Sequence, residues 1–480
     1  MPSFVVKVKW GREVFSGIEV DTDEEPVLFK AQLFALTGVL PNRQKIMFKG
    51  GILRDNEWNL QIKEGSTLVL LGTKEEVPEI PSVPVKFVED MNDMELAAAL
   101  DLPSGLTNLG NTCYMNATVQ CLKSVPELCE ALNLFELERN DSGSMSLAIA
   151  TSMKNLFKQM EKASTVTPIA LLQTLHKASP HFSETVENGN YRQQDANECW
   201  SELLKMLQQQ LPPTSNAQNE KQSQQYKSFI EQYFGGTFEV KMSCSEAPEE
   251  KTTSTVEQFL QLSCFISPEV KHMHSGLKSK MKEHLVKYSQ VLDRDASFDR
   301  SYLISRLPAY LTIQFVRFQY KGKEGINAKV LKDIKFPVEF DAYELCTPYL
   351  QEKLCPMRLK FKEIEDMQIE KSTKCDSQPI NYWFDDDLGS NNSGFYTLQA
   401  VLTHKGRSSS SGHYVAWVRQ KEDIWYKFDD DIVSSVTTEE IFRLSGGGDW
   451  HCAYVLLYGP RVLKSINQDM LSEEIIAAVE

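Results

Sequence analysis

A cysteine at the end of a tight loop is the residue of this sequence best suited to nucleophilic chemistry. Cys113 follows residues 105–112, which contain two glycines and two asparagines, and it opens a predicted helix that ends before Pro126. A thiol at a helix N-terminus lies at the positive end of the helix dipole, which favours the reactive thiolate. The backbone N–H groups of the preceding turn face the same point and suit a developing oxyanion. Cys113 is therefore a candidate nucleophile. The alternative is a buried structural cysteine, because free cysteines commonly behave as small hydrophobes.

A thiolate nucleophile needs a base, and a histidine with a carboxylate partner is predicted further along the chain. His413 stands at the start of an apolar strand, directly after a Ser-rich loop. Asp429 follows sixteen residues later, in a run of three aspartates at the end of the next strand. A hairpin of this length returns the end of its second strand to the start of its first, so we expect Asp429 to orient His413. Asp430 is the alternative for this role, and three aspartates alone are more often a solvated turn.

Composition and charge limit the class of protein. The chain has 480 residues, of which 41% are hydrophobic and 24% charged, and this is typical of a globular protein of roughly two to four domains. Lysine and arginine total 51 against 66 aspartates and glutamates, a formal net charge of −15. Such an acidic surface repels phosphate backbones, so we predict no nucleic-acid binding and expect a basic partner.

The expected compartment follows from apolar runs and cysteine usage. No apolar run reaches the roughly 18–20 residues of a membrane span, and the N-terminus shows no secretory signal. Ten cysteines are too sparse for a disulfide scaffold, and no two of them form a CxxC pair. We therefore predict reduced thiols, no metal and no cofactor, and a location that is cytoplasmic or also nuclear.

The first 75 residues are predicted to form a separate β-grasp unit. They contain ten basic and ten acidic residues, so residues 76–480 carry the whole net charge. Strands are expected over 4–10, 13–20, 44–48 and 67–71, with a helix capped by Asp21 or Thr22 between the second and third strands. The helix is expected to present its apolar face through Leu28, Leu33, Phe34 and Leu36.

This unit resembles ubiquitin-like domains. Residues 43–51 and 66–71 are similar to the matching strands of ubiquitin, but the chain continues past Leu71 instead of ending in Gly-Gly, so we do not expect it to be conjugated. The resemblance implies that Met47, Val69 and Leu71 lie on the sheet face that such domains use for binding. We predict a docking module, with a merely stabilising appendage as the alternative.

The remainder is predicted to be a Pro-containing linker over 76–102, a large α+β unit over 103–460 and a C-terminal tail over 461–480. Helical signal is concentrated in residues 113–210, and strands follow. Two disordered insertions are expected, a Gln-rich one over 208–226 and a second over about 363–387.

Several ordered sequence boxes in the large unit resemble the ubiquitin-specific protease family. They are residues 105–113, 193–198, 307–311, 412–414, 425–429 and 453–458. The resemblance implies a papain-like fold of thumb, palm and fingers, with Cys113 as nucleophile, His413 as base, Asp429 as its orienter and Asn108 as an oxyanion donor. Many members hold zinc in the fingers through two CxxC pairs. This sequence has neither pair, so we predict fingers that are held by packing alone.

The resemblance also implies a function. With its N-terminal unit, the chain is similar to proteasome-associated deubiquitinases, which hydrolyse the bond after the C-terminal glycine of ubiquitin, trim conjugates and recycle ubiquitin. The implied partners are ubiquitin, ubiquitinated proteins and the proteasome regulatory particle. Asp195 and Glu198 are candidates for binding the two arginines of the ubiquitin tail. The alternatives are a catalytically restrained ubiquitin-binding scaffold and a papain-type peptidase, which would leave the N-terminal unit unexplained.

The loop before His413 is a candidate regulatory element. It consists of Ser408, Ser409, Ser410 and Ser411, with Gly406 and Gly412 beyond its ends. Glycines make such a loop easy to rearrange, so we predict a gate beside the channel for the ubiquitin tail. A passive connection is the alternative.

Overall fold

The computed structural model describes residues 3–73, 102–136, 144–186, 189, 191–214, 226–321, 326–370, 379–408, 411–421, 423–448 and 450–464. The chain divides into two compact units, Met1–Asp90 and Met91–Glu480. Residues 76–101 of the predicted linker, residues 465–480 of the tail, and Ser409 and Ser410 lie outside the described residues. The predicted domain boundaries stay predictions.

The N-terminal unit is a five-stranded sheet with one helix packed on it. Its strands are β1 (Ser3–Trp10), β2 (Glu13–Asp21), β3 (Lys45–Phe48), β4 (Gly51–Ile52) and β5 (Thr67–Leu71), in the order β2-β1-β5-β3-β4. Strands β1 and β5 run parallel, and the other pairs are antiparallel. Alternate apolar residues of the strands, such as Val6, Val8, Leu68 and Leu70, are completely buried under the helix.

The helix of this unit, α1 (Pro26–Thr37), differs from the prediction in its start and in its buried face. Its N-cap is Glu25 without a side-chain bond, so the predicted cap by Asp21 or Thr22 is wrong. Of the predicted apolar face only Leu33 is buried, whereas Leu28, Phe34 and Leu36 are exposed. The face on the core is instead Pro26, Phe29, Lys30, Leu33 and Thr37. Lys30 fits this face because its stem is covered while its ammonium bonds Asp55.

The second unit has most of its helices in its first part. Its helices are α2 (Cys113–Lys123), α3 (Pro126–Leu134), α4 (Met145–Met160), α5 (Ile169–Ala178), α6 (Ala196–Gln210), α7 (Phe229–Phe234), α8 (Met273–Lys278), α9 (Pro348–Glu370) and α10 (Thr438–Phe442). Helices α2 to α7 share one apolar core, which includes Leu122, Met153, Leu175 and Trp200. Ten of the eleven residues of α2 are buried, so this helix is fixed on all sides.

The later part of the unit is dominated by strands. They are β6 (Gly105–Leu106), β7 (Thr165–Val166), β8 (Gly236–Cys244), β9 (Thr253–Phe259), β10 (Leu262–Phe265), β11 (Lys282–Ser289), β12 (Arg294–Arg306), β13 (Leu311–Val316), β14 (Phe318–Lys321), β15 (Ile326–Lys329), β16 (Glu339–Asp341), β17 (Phe395–Ser408), β18 (Ser411–Lys421), β19 (Ile424–Asp429), β20 (Ile432–Thr437) and β21 (Cys452–Pro460). A large sheet has the main order β10-β13-β21-β17-β18-β19-β20, and a separate sheet has the order β11-β12-β8-β9. Helices first and strands later give the predicted α+β class.

Helical structure extends into both predicted insertions. Helix α6 continues to Gln210, and α9 continues to Glu370. The prediction of disorder is therefore wrong for residues 208–210 and 363–370. It is also wrong for 211–214 and 379–387, where Leu211 is buried and the Asp387 carboxylate pairs with Arg306 at 2.8 Å. Residues 215–225 and 371–378 lie outside the described residues. Tertiary contacts explain α9: Phe361 is buried, and the Arg461 guanidinium bonds Glu365 at 2.7 Å.

The four-stranded sheet β11-β12-β8-β9 is separate from the large sheet. A small apolar cluster of Cys244, Ala247, Ala296 and Phe298 packs at one end. In the part of the chain that the structure describes, no group of three or more His, Cys, Asp or Glu side chains is placed to hold a metal. None of the described helices is long and apolar enough to cross a membrane.

Candidate active site

The loop before α2 fixes the position of Cys113. Gly110 and Asn111 adopt left-handed backbone angles, with φ of 98° and 56°, which reverse the chain just before the helix. Thr112 is the N-cap residue, and its hydroxyl accepts a 2.9 Å bond from the Leu109 N–H. The Cys113 side chain is 3% exposed at the first position of the helix. The thiol therefore lies at the helix N-terminus, as the residue pattern predicts.

The loop before α2 is hydrogen-bonded to the turn after β19. The Leu106 N–H donates to the Asp430 carbonyl at 2.8 Å. A Cβ on Gly105 would lie 2.5 Å from the Asp431 carbonyl oxygen, so only glycine allows this close approach. The segment that carries the nucleophile is thereby tied to the segment that carries the aspartates.

His413 and Asp429 meet across the hairpin of β18 and β19. The register pairs Ala416 with Phe428, which puts Asp429 diagonally across from His413 on one face of the sheet. His413 Nε2 and Asp429 Oδ1 are 2.6 Å apart. Because Nε2 is occupied by Asp429, Nδ1 is the ring nitrogen left for another partner.

The electrostatics of this group favour an imidazolium. The bond to Asp429 and the bond to Cys113 raise the pKa of His413 to about 10. Conversely, His413 and then Lys427 hold the pKa of the Asp429 carboxyl well below its usual range. These two shifts favour an imidazolium at His413 beside an ionised Asp429 carboxylate at neutral pH.

Asp430 binds the loop of the nucleophile and not the histidine. Its two carboxylate oxygens accept bonds of 2.8 Å from the side-chain amides of Asn108 and Asn116. The residue has a φ of 57°, a left-handed conformation that turns its side chain away from that of Asp429. Burial raises the pKa of the Asp430 carboxyl.

Asn108 is held at both ends of its side-chain amide. Its Oδ1 accepts from the N–H groups of Gly110 and Thr112, at 2.9 and 3.2 Å. Its Nδ2 uses one N–H for Asp430, and an amide has two. The second N–H is the one that an oxyanion beside Cys113 would use.

Asp195 and Glu198 line a cleft of about 530 Å³ at the start of α6. Asp195 is the N-cap of this helix and accepts from Asn197 N at 2.7 Å and from the Tyr454 hydroxyl at 2.7 Å. Burial raises the pKa of the Asp195 carboxyl. Glu198 is exposed. Other lining residues are Glu184, Arg192, Gln193, Gln194, Asn197, Ser201, Gln314 and Tyr454. Asp195 thus has a structural role in its cap, and Glu198 with Glu184 supplies the accessible carboxylates.

The remaining predicted residues lie elsewhere. In the N-terminal unit, Met47 pairs with Val69, and Val69 and Leu71 are 38% and 49% exposed. All three point away from the core.

In the second unit, Ser408 and Ser411 face each other in the hairpin of β17 and β18, with their hydroxyl oxygens 2.8 Å apart. Ser409 and Ser410 lie outside the described residues.

Three residues near the site were not singled out from the sequence. Asn116 lies on α2 below Cys113, Lys427 bonds Asp429 Oδ2 at 2.8 Å, and the ring of His451 lies 6.4 Å from that of His413. Lys427 precedes Asp429 by two residues in a strand, and this spacing alone places both on one face. His451 gives no such local signal, because it comes from a distant segment.

Two family models match this chain. The ubiquitin carboxyl-terminal hydrolase model matches residues 104–458, and the ubiquitin family model matches residues 5–75. The chain belongs to the ubiquitin carboxyl-terminal hydrolase family. It is a cysteine-dependent deubiquitinase with an N-terminal ubiquitin-like domain.

Relatives from distant eukaryotes cover nearly the whole chain. Ubiquitin carboxyl-terminal hydrolase 7 of Arabidopsis thaliana is 40% identical over 95% of this chain and 99% of its own length. Ubiquitin carboxyl-terminal hydrolase 14 of Caenorhabditis elegans is 39% identical, over 96% and 94%. Ubiquitin carboxyl-terminal hydrolase 6 of Schizosaccharomyces pombe is 37% identical, over 94% and 98%.

A solved structure shares the fold. It is the SAGA Ubp8/Sgf11/Sus1/Sgf73 deubiquitinating module bound to ubiquitin aldehyde, with a TM-score of 0.53 and 22% identity over 76% of this chain and 70% of that one. The similarity supports the ubiquitin-specific protease fold expected from the sequence boxes.

Proposed function

We propose that this chain is the proteasome-associated type of deubiquitinase and that Cys113, His413, Asp429 and Asn108 carry its chemistry. The observation that carries the assignment of residues is the series of Cys113, His413 and Asp429, in which the imidazole and the carboxylate are 2.6 Å apart. Such a series suits a thiolate–imidazolium nucleophile.

The reaction has two halves. The Cys113 sulfur attacks the carbonyl carbon of the C-terminal glycine of ubiquitin, and His413 gives its proton to the departing lysine amine, which leaves a thioester. His413 then takes a proton from water, and the hydroxide attacks the thioester and releases ubiquitin. The negative oxygen of each tetrahedral intermediate accepts from the second N–H of Asn108 and from backbone N–H groups at the start of α2.

The cleft at the start of α6 is the proposed binding site for the two arginines of the ubiquitin tail. Glu198 and Glu184 provide accessible carboxylates there, and Asp195 adds negative charge while it caps the helix. The net charge of −15 favours approach of a basic segment.

The exposed face of Met47, Val69 and Leu71 is the proposed contact with the proteasome regulatory particle. Three apolar side chains on one exposed sheet face are suited to a protein interface. Trimming of proteasome-bound conjugates and recycling of ubiquitin then take place in the cytoplasm, and in the nucleus where proteasomes also work.

A ubiquitin with a thiol-reactive C-terminus tests the proposal. The full chain should form a covalent adduct, and Cys113→Ala should bind the same probe without an adduct. A fluorogenic ubiquitin substrate, with and without the proteasome regulatory particle, measures turnover. Binding without an adduct in the unmodified chain, alone and on the proteasome, would mean that the protein is a ubiquitin-binding scaffold.

A further inference from the structure

Asp429 has a second cationic partner besides His413. Lys427 Nζ lies 2.8 Å from Asp429 Oδ2, while Oδ1 of the same carboxylate lies 2.6 Å from His413 Nε2. Each oxygen therefore has its own partner. The Lys427 side chain is 26% exposed, so solvent screens this pair less than it screens an ordinary surface ion pair.

The position of Lys427 is defined by a buried aromatic residue. Trp417 lies opposite Lys427 in the β18–β19 register, and its ring centroid is 5.7 Å from the ammonium. Trp417 is 4% exposed, and its indole N–H donates to the Thr403 hydroxyl at 3.0 Å. A cation above such a fixed ring is held by a cation–π attraction as well as by the carboxylate.

We propose that Lys427 is a positioning residue of the β18–β19 hairpin. Lys427 binds one oxygen of Asp429, so that the other oxygen stays bonded to His413. The ammonium also partly neutralises the carboxylate charge that acts on His413. The inference rests on the proposed roles of Cys113, His413 and Asp429. It assigns to Lys427 two effects: it limits rotation of the carboxylate, and it weakens the hold of Asp429 on the imidazolium proton.

The other titratable groups around the pair are Cys113 on α2, His404 and Lys405 on β17, Asp430 after β19, and His451 before β21. Burial lowers the pKa of His404 to about 3 and that of His451 to about 4, so both are neutral where the enzyme works. Asp430 is bonded to the two asparagines, and the Lys405 ammonium lies over the Trp450 ring. Lys427 is thus the cation that shares the Asp429 carboxylate with His413.

Removal of the Lys427 charge has an effect of defined sign. Asp429 then interacts only with the imidazolium, so His413 should lose its proton at a higher pH. The alkaline limb of kcat/KM should move up by about 0.5–1 pH unit. The freed carboxylate should also rotate, and kcat should fall about three- to tenfold. Lys427→Arg keeps the charge and the donor and should restore both values.

The test compares the full chain with Lys427→Met and Lys427→Arg. The value of kcat/KM for a fluorogenic ubiquitin substrate is measured between pH 6 and 11.5, and circular dichroism monitors the fold at each pH. An upward shift of the alkaline limb in Lys427→Met that Lys427→Arg reverses would support the proposal. An alkaline limb that coincides with that of the unmodified chain would overturn it, with or without a loss of activity, because support of the fold alone does not move the limb.

Two additions keep the test decisive. Lys427→Gln, which retains a donor but no charge, replaces Lys427→Met if that variant does not fold, and the same upward shift is expected. Reaction with the thiol-reactive ubiquitin probe is recorded for each protein. An unmodified chain that forms no adduct contradicts the proposed function, whereas a reactive chain with an unmoved limb in the variant contradicts only the role of Lys427.

Discussion

Asn108→Ala separates transition-state stabilisation from support of the loop. The substitution removes the side-chain N–H that would face the oxyanion, and removal of one such donor typically costs about 2.7–4 kcal/mol. At about 1.36 kcal/mol per factor of ten, kcat should fall roughly 10²- to 10³-fold. KM should change little, because the charge on the oxygen develops only after substrate has bound.

The structure also gives Asn108 a second role, and this requires a matched control. Its Oδ1 accepts from Gly110 N and Thr112 N, and its Nδ2 donates to Asp430, so the variant also loosens the loop. Thr112→Ala provides the control, because it removes the hydroxyl that accepts from Leu109 N at 2.9 Å and donates to Asn108 Oδ1 at 3.3 Å, and it leaves the Nδ2 group of Asn108 in place.

The assay is steady-state hydrolysis of a fluorogenic ubiquitin substrate, with thermal unfolding measured in parallel. Thr112→Ala should lose less than about tenfold in kcat, because the two neutral hydrogen bonds that it deletes, worth about 1 kcal/mol each in stability, do not reach the oxyanion. Equal losses in the two variants would refute the reasoning, since order of the loop would then explain both. Retention of more than a third of kcat by Asn108→Ala would do so as well.

Three further predictions concern the nucleophile, the tail cleft and the N-terminal unit. Cys113→Ala should abolish hydrolysis while ubiquitin binding, measured by calorimetry, stays nearly unchanged, and a tenth of the activity remaining would contradict the assignment. Glu198→Lys should raise KM for ubiquitin substrates about tenfold, because it puts a cation where two arginines would bind, and Glu202→Lys on the same helix serves as the control for altered net charge. Deletion of residues 1–75 should leave hydrolysis by the free enzyme roughly unchanged but lower co-purification with proteasomes, and equal co-purification would contradict the docking role.

A fifth prediction concerns pH. The pKa of His413 is raised to about 10 in the folded protein, above its ordinary value of about 6.5. Its charged form therefore stabilises the fold fully below about pH 6.5, and this contribution is lost as the pH rises through about 10. The free energy of unfolding in urea should fall between pH 7 and 10 more in the unmodified chain than in His413→Gln. An identical decrease in both proteins would mean that other groups cause it.

The sequence by itself determined the chemistry and the class of fold. A cysteine after a Gly/Asn turn, a histidine at a strand start and an aspartate at the next strand end are local patterns, and each depends only on a few neighbouring residues. The alternation of apolar residues in the N-terminal strands was equally readable, because one buried face per strand dictates a period of two. Such local patterns predict the same secondary structure wherever the same faces of the strands and helices are buried.

Tertiary structure alone decided which groups touch. Asp429 and Asp430 cannot be told apart in the sequence. The β18–β19 register places Asp429 against His413, and the left-handed φ of Asp430 directs its side chain to Asn108. The buried face of α1 includes Lys30 because Asp55, distant in sequence, receives its ammonium. Lys427 and Asp195 likewise take their roles from Trp417 and Tyr454, on other strands. Contacts of this kind depend on where distant segments meet, and no local pattern of residues encodes that position.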